Sequence, residues 1–186
     1  MKVPARKGPV IAVVGPSGVG KDSLMTALQQ ADPGVLLMRR VITRAPEAGG
    51  EDYTAVTEAE FEALVQDGVF ALHWAAHGLQ YGILKEIETL RHGASGVLVN
   101  LSRGVLLEAQ ATFDDFRVLS VTARPEVLAA RLAARGREDA AEVQRRLARA
   151  SKPLPAGLAQ VHEIDNSGDL GAAVMAARAA IQPVRA

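Results

Sequence analysis

Residues 15–23 read GPSGVGKDS, and their flanks decide the fold. Immediately before them, PVIAVV (9–14) is a short apolar run rich in branched residues, the composition of a buried strand. Immediately after them, DSLMTALQQA (22–31) has the apolar spacing of an amphipathic helix. A strand that enters a helix through a glycine-rich turn lets backbone N–H groups converge on an anion, and the positive end of the helix faces the same point. Gly15, Gly18 and Gly20 supply the permissive backbone, Pro16, Ser17 and Val19 the rest of the turn, and Lys21 a cation for the outer phosphates. The stretch is therefore expected to bind a nucleotide, with Lys21 also acting in catalysis.

One position departs from the pattern G-x-x-x-x-G-K-[ST], in which a hydroxyl follows the lysine and binds magnesium. Asp22 stands there, with Ser23 next. Enzymes with this loop also hold the metal through an acidic residue at the end of an apolar strand. Here the natural strand, GVLVN (96–100), ends in the uncharged Asn100. The expectation is that the metal's carboxylate has moved to Asp22, since Mg²⁺ takes carboxylate oxygens. The alternative is a helix-start acid, worth about 0.3–1 kcal/mol.

Working outward, apolar runs at 9–14, 34–42, 69–76, 96–101, 116–122 and 159–165 predict strands. Between them, helices are expected near 21–31, 57–67, 83–92, 103–112, 125–135, 139–151 and 169–181. Thr57 and Glu60 form a T-x-x-E capping box, and Pro125 suits a first helical turn. Strands bounded by helices imply βαβ units, hence an α/β fold: a parallel sheet flanked by helices, with ligands bound beyond the carboxyl ends of the strands. Residues 43–56, TRAPEAGGEDYTAV, read as a functional loop.

Composition bounds the rest. The 186 residues, 48% of them hydrophobic, suit one domain. Twenty-one basic residues balance 21 acidic ones, so no nucleic-acid or membrane partner is expected and any basic site is local. There is no cysteine, which excludes disulfides and thiolate metal sites. The opening MKVPARKGPVIAVVG has an apolar run too short for a secretion signal, and no run approaches the roughly 20 residues of a membrane span, so a cytoplasmic location is expected.

From Gly15 onward the chain resembles the guanylate kinase family of P-loop phosphotransferases. GPSGVGK, TRAP…GGEDY, EFEALVQDGVFALHW…HGLQYG, RLAARGRED…VQRRL and EIDNSGDLGAAV fall in that family's order over nearly the whole length. The resemblance implies a single kinase domain over 1–186 with an acceptor-binding insertion near 38–82 and a mobile lid near 135–146. It makes Arg44, Tyr53 and Tyr81 ligands of the acceptor phosphate. It also makes Arg135, Arg137, Arg145 and Arg146 candidates for catalytic lid arginines.

Two departures bear on the acceptor. Guanylate kinases read guanine with a glutamate just before the insertion's tryptophan and a Ser/Thr two residues after its second tyrosine; here these are His73 and Ile83. In addition, the second arginine of the family's TRxPR run is Glu47. A site that reads a base by hydrogen bonds loses about 10⁴-fold in discrimination without them, which argues against guanine. The set KDS, RRVITR with GGED, HW…HGL.YG and VN.SR is similar to the ribose 1,5-bisphosphate phosphokinases of phosphonate breakdown. That likeness implies ATP as donor with Mg²⁺ and a phosphorylated sugar as acceptor, bound by Arg40, Arg44, Tyr53, His73, Tyr81 and Arg103. A nucleoside monophosphate kinase with an altered base pocket, or a non-catalytic binding module, are the competing readings. Nothing in the sequence sets an oligomeric state.

Overall fold

The computed structural model describes residues 7–46, 52–134, 144–145, 147–148 and 152–182. Its centre is β1 (Val10–Val14), all five residues of which are buried. Side chains alternate across a strand. Val10, Ala12 and Val14 therefore join one apolar layer with Val97, Val99, Phe116 and Val118, while Ile11 and Val13 join another with Leu98, Leu119 and Val121. Burial on both faces is what a parallel sheet requires, and it explains the unbroken apolar runs.

The core sheet has the order β2 (Val35–Leu37), β7 (Gly96–Asn100), β1, β8 (Phe116–Thr122), β9 (Val161–Asp165), and every pairing is parallel. On one face lie α1 (Lys21–Ala31), α5 (Pro125–Ala134) and α6 (Leu170–Ile181), contributing Leu24, Leu28, Leu128, Ala173 and Ala177. On the other lie α3 (Ile87–Leu90), α4 (Leu106–Thr112) and the inner face of a second sheet, contributing Ile87, Leu106, Leu72 and Ile83. Because the strands are parallel, the segments after β1, β7 and β9 emerge at one edge.

The second sheet has the order β4 (Tyr53–Ala55), β3 (Arg40–Ile42), β6 (Leu79–Leu84), β5 (Phe70–Ala76). On its outer face α2 (Glu58–Gln66) packs Phe61 against Val41 and Phe70. The expected capping box of α2 is present: Glu60 N–H donates to Thr57 Oγ1 at 3.2 Å and Thr57 N–H to Glu60 Oε2 at 2.7 Å.

Three sequence expectations change. Residues 34–42 form two strands in two sheets, because Met38 N–H still bonds Leu98 O at 2.9 Å while the charged Arg39–Arg40 pair cannot continue in a strand buried on both faces. Residues 83–92 are not one helix: Leu79–Leu84 is the returning arm of a hairpin, and only Ile87–Leu90 is helical. The hairpin turns at His77 and Gly78, with φ of 53° and 75°, the pair of positive values that matches strand twist. Within 43–56, Tyr53–Ala55 adds a strand parallel to β3. The expected helix at 139–151 lies almost wholly outside the described residues. No described helix is long and apolar enough to cross a membrane.

At the amino ends of the strands, Arg91 is 1% exposed. Its guanidinium donates to Gly8 O (2.7 Å), Glu88 Oε1 (2.9 Å) and Asp114 Oδ1 (2.6 Å), which compensates the desolvated charge. The Arg91 hydrogen bond holds the Asp114 carboxyl below its ordinary range.

Candidate active site

Between β1 and α1 the chain turns through Gly18 and Gly20, with φ of 84° and 94°, values that favour glycine. Gly20 is the N-cap of α1 and no side chain caps the helix, so its first turn presents backbone N–H groups. Val19 is fully buried in the layer below and anchors the turn. Lys21 Nζ donates to Gly15 O at 2.9 Å and Pro16 O at 3.2 Å, so the cation lies back over the loop. Ser17, Asp22 and Ser23 are exposed.

Next to the loop is a cleft of 260 Å³ whose lining includes Asp22 and Gln29 of α1, Asn100 at the end of β7, and Arg39, Arg40 and Asp52. Asp22, the expected metal ligand, and Asn100, the strand-end residue it was expected to replace, thus line one space together with arginines. Arg39 and Asp52 form an exposed ion pair at 2.6 Å.

On the inner face of the second sheet a row of side chains runs from the cleft toward β7. The Arg40 guanidinium lies 4.8 Å over the Tyr81 ring, Tyr81 stacks on Trp74 at 5.3 Å and 11°, and Trp74 Nε1–H donates to Ser102 Oγ at 3.0 Å. Register produces this row, since Trp74 is the cross-strand partner of Tyr81, and Tyr81 of Ile42, which shares a face with Arg40. Tyr81 is buried within it, 5% exposed. Arg103 follows Ser102 in a 3-10 turn (Arg103–Val105), where burial pushes its pKa down.

Arg44 and Tyr53 are brought together elsewhere. The Arg44 guanidinium lies 5.4 Å over the Tyr53 ring, whose hydroxyl donates to Ala45 O. Arg44 lines a second cleft, of 360 Å³, with Thr43, Pro46, Glu58 and Glu60. Arg40 and Arg44, grouped by the sequence, therefore border different spaces. His73 is on neither: it is exposed on the outer face, its ring 6.0 Å from Phe70 and 6.5 Å from Phe61. Ile83 is fully buried in the core. Arg145 is exposed, and Arg135, Arg137 and Arg146 lie outside the described residues.

Sequence reasoning missed a group beneath the loop. Val19 O accepts from Asn166 Nδ2–H at 2.8 Å and from Arg131 Nη1–H at 3.2 Å. These donors come from the segment after β9 and from α5. Asn166 and Arg131 fall within the motifs EIDNSGDLGAAV and RLAARGRED, and Asn166 directly follows a strand of the parallel sheet, where site residues are expected. Ser102 stands in the motif VN.SR, but nothing in the sequence pointed to its bond with Trp74.

The arrangement can hold a polyphosphate on backbone N–H groups and Lys21, and a second anion on arginines across a short gap. Among the described residues no three acidic, imidazole or thiol side chains gather as a metal site. Magnesium needs no such set, since it binds through one or two carboxylates plus substrate phosphates.

No protein-family model matches the chain. It is 74% identical over 190 aligned positions, covering 100% of both chains, to a protein of Ruegeria sp. (strain TM1040) named ribose 1,5-bisphosphate phosphokinase PhnN. Proteins of the same name match in Pantoea vagans, 50% identical over 80% of this chain and 84% of the relative, and in Brucella melitensis, 43% identical over 95% and 93%. Among solved structures, the fold is similar to a guanylate kinase from Anaplasma phagocytophilum (TM-score 0.60, 18% identity, covering 96% of this chain and 85% of that one). It is also similar to a gluconokinase from Sinorhizobium meliloti (TM-score 0.55, 19% identity, 95% and 93%). The chain shares its fold with these two proteins, and with identities of 43 to 74% over most or all of its length, it belongs to the ribose 1,5-bisphosphate phosphokinase family.

Proposed function

We propose that the protein transfers the γ-phosphoryl group of ATP to a phosphate of ribose 1,5-bisphosphate, giving 5-phosphoribosyl 1-diphosphate and ADP. The observation that carries this reading is the shared cleft. Asp22 and Asn100, at the phosphate-loop edge, and Arg39 and Arg40, at the start of the second sheet, line one space. Donor and acceptor phosphates can meet there.

In the reaction an oxygen of the sugar's anomeric phosphate attacks the γ-phosphorus, and the bond from that phosphorus to the β,γ-bridging oxygen breaks. The electron pair leaves with ADP. The attacking phosphate is already mostly ionised at neutral pH, its second pKa being about 6, so no side chain has to remove a proton. Catalysis reduces to placement and charge. Loop N–H groups and Lys21 hold the donor phosphates, which requires Lys21 to exchange its carbonyl partners at Gly15 and Pro16 for phosphate oxygens. Arg40 is oriented by the Tyr81 ring and Arg44 by the Tyr53 ring, and both hold the acceptor.

Asp22 and Asn100 present hard oxygen donors to one cleft beside the loop, a set that suits Mg²⁺. When bound, the ion neutralises β- and γ-phosphate oxygens. Arg145 and the lid arginines Arg135, Arg137 and Arg146 are assigned the equatorial oxygens of the transferring group by family likeness.

Ile83 supports a sugar acceptor over a nucleotide. Where guanylate kinases place a hydroxyl for guanine, this chain buries a hydrocarbon with no hydrogen bond to offer. The test is an acceptor panel with MgATP, its products resolved by phosphorus NMR. Ribose 1,5-bisphosphate is expected to give a diphosphate product far faster than GMP or AMP does. Comparable or greater efficiency on a nucleoside monophosphate overturns the assignment in favour of a nucleotide kinase, and no ATP consumption with any acceptor favours a binding module.

A further inference from the structure

We infer that Asn166 is a positioning residue for the phosphoryl donor: its amide fixes the Val19–Gly20 peptide so that the Gly20 N–H faces the phosphates. The inference rests on the phosphate-loop reading above and adds to it a residue outside the loop.

The described chain contains no cis peptide, and in a trans peptide the carbonyl and the following N–H point in opposite directions. Val19 O is drawn toward Asn166 Nδ2 at 2.8 Å and Arg131 Nη1 at 3.2 Å. The N–H of Gly20 is therefore turned the other way, out of the loop's underside and toward its open side. Were the peptide to flip, a carbonyl oxygen would face the anion and an N–H would be buried against two donors.

Asn166 controls Gly20 sterically as well. A Cβ on Gly20 would stand 2.6 Å from Asn166 Nδ2, so the amide lies directly against the Gly20 Cα. With φ at 94°, Gly20 is confined by its own backbone on one side and by Asn166 on the other.

Asn166 is itself held in place. It is 4% exposed, and its N–H donates to Thr122 O at 2.8 Å. Ser167 donates to Asp165 through its N–H (2.9 Å) and its hydroxyl, and Ser167 Oγ accepts from Arg124 N–H at 2.8 Å. Those bonds lower the Asp165 pKa and lock the turn that carries Asn166. Against Val19 O only a donor serves, so exchanging the amide nitrogen for oxygen inverts the interaction.

Calorimetry with MgADP and with adenosine separates this role from a structural one, because only MgADP uses the loop's N–H groups. Asn166→Asp is expected to weaken MgADP binding by about tenfold or more while leaving adenosine binding unchanged, and Arg131→Gln to shift the same ratio by a smaller factor. Equal loss for both ligands, or an unchanged ratio, overturns the inference. If Asn166→Asp does not fold, Arg131→Gln decides: its half-exposed side chain leaves the core intact, and a parental ratio in that variant is a refutation. Failure of the parent protein to bind MgADP would instead refute the phosphate-loop reading itself.

Discussion

The phosphate loop and the second sheet present groups suited to anions by opposite means. In the loop the available donors are mostly peptide N–H groups, set by a buried valine, two positive-φ glycines and side-chain donors from α5 and the segment after β9. In the sheet they are guanidinium groups laid on aromatic rings: Arg40 on Tyr81, which stacks on Trp74, and Arg44 on Tyr53. A cation over a ring gains about 0.5–1 kcal/mol at an exposed site, and the contact restricts where the guanidinium can lie. Under the proposed function the donor end is fixed by backbone, whereas the acceptor end can be re-specified by exchanging side chains. That contrast suits a kinase family in which the donor stays the same and acceptors differ.

The arginines offer the largest test of that contrast. Removing one charged hydrogen bond to phosphate costs about 1.5–3 kcal/mol, so Arg44→Ala and Arg40→Ala should each lower kcat/KM for the sugar acceptor by about tenfold to a hundredfold and leave the KM for ATP near the parent value. A rise in ATP KM for Arg40→Ala alone would move that residue to the donor side and erase the division.

A smaller effect is expected at Asp22, where the two ends meet. Asp22→Asn should raise the magnesium concentration for half-maximal rate severalfold, with excess magnesium restoring part of the activity. A titration curve that overlays the parent's would leave Asp22 as a helix-start acid worth about 0.3–1 kcal/mol.

The smallest effect should come from Trp74→Phe. The ring stack on Tyr81 survives this change while the bond to Ser102 is lost, so stability should fall by about 1 kcal/mol and the acceptor KM should rise modestly with ATP KM unmoved. If thermal denaturation and both KM values match the parent, the row from Arg40 to Ser102 is packing without consequence for binding.

The loop could be read from the sequence because everything that defines it is local: apolar strand, spaced glycines, lysine and amphipathic helix lie within residues 9–31. Its support could not, because Asn166 and Val19 are 147 positions apart and only the strand order β1-β8-β9 brings them together. For the proposed acceptor site, family likeness supplied the candidate residues, but their distribution in the fold depended on register. Adjacent positions on β5 place Trp74 inward and His73 outward, and three residues of chain separate Arg40 in one cleft from Arg44 in another. The hairpin arm at 79–84 was hidden because the His77–Gly78 turn lacks the usual Asn-Gly or Asp-Gly pair.

The crossing of the chain between sheets at Met38–Arg39 has a bearing on how such second sheets arise. Strands β2 and β7 are neighbours paired from Val35↔Gly96 to Leu37↔Leu98, yet the chain between them builds the whole second sheet. Topologically that sheet is an excursion from an edge pairing of the core. Closing a loop costs only the logarithm of its length, about 0.6 kcal/mol per doubling, and an excursion with its own strands and capped helix brings its two ends near each other unaided. The β2–β7 pairing is thus almost indifferent to what is spliced between its strands. A lineage could lengthen, shorten or exchange this segment, acquiring a new acceptor, while the strands that carry the phosphate loop kept their partners.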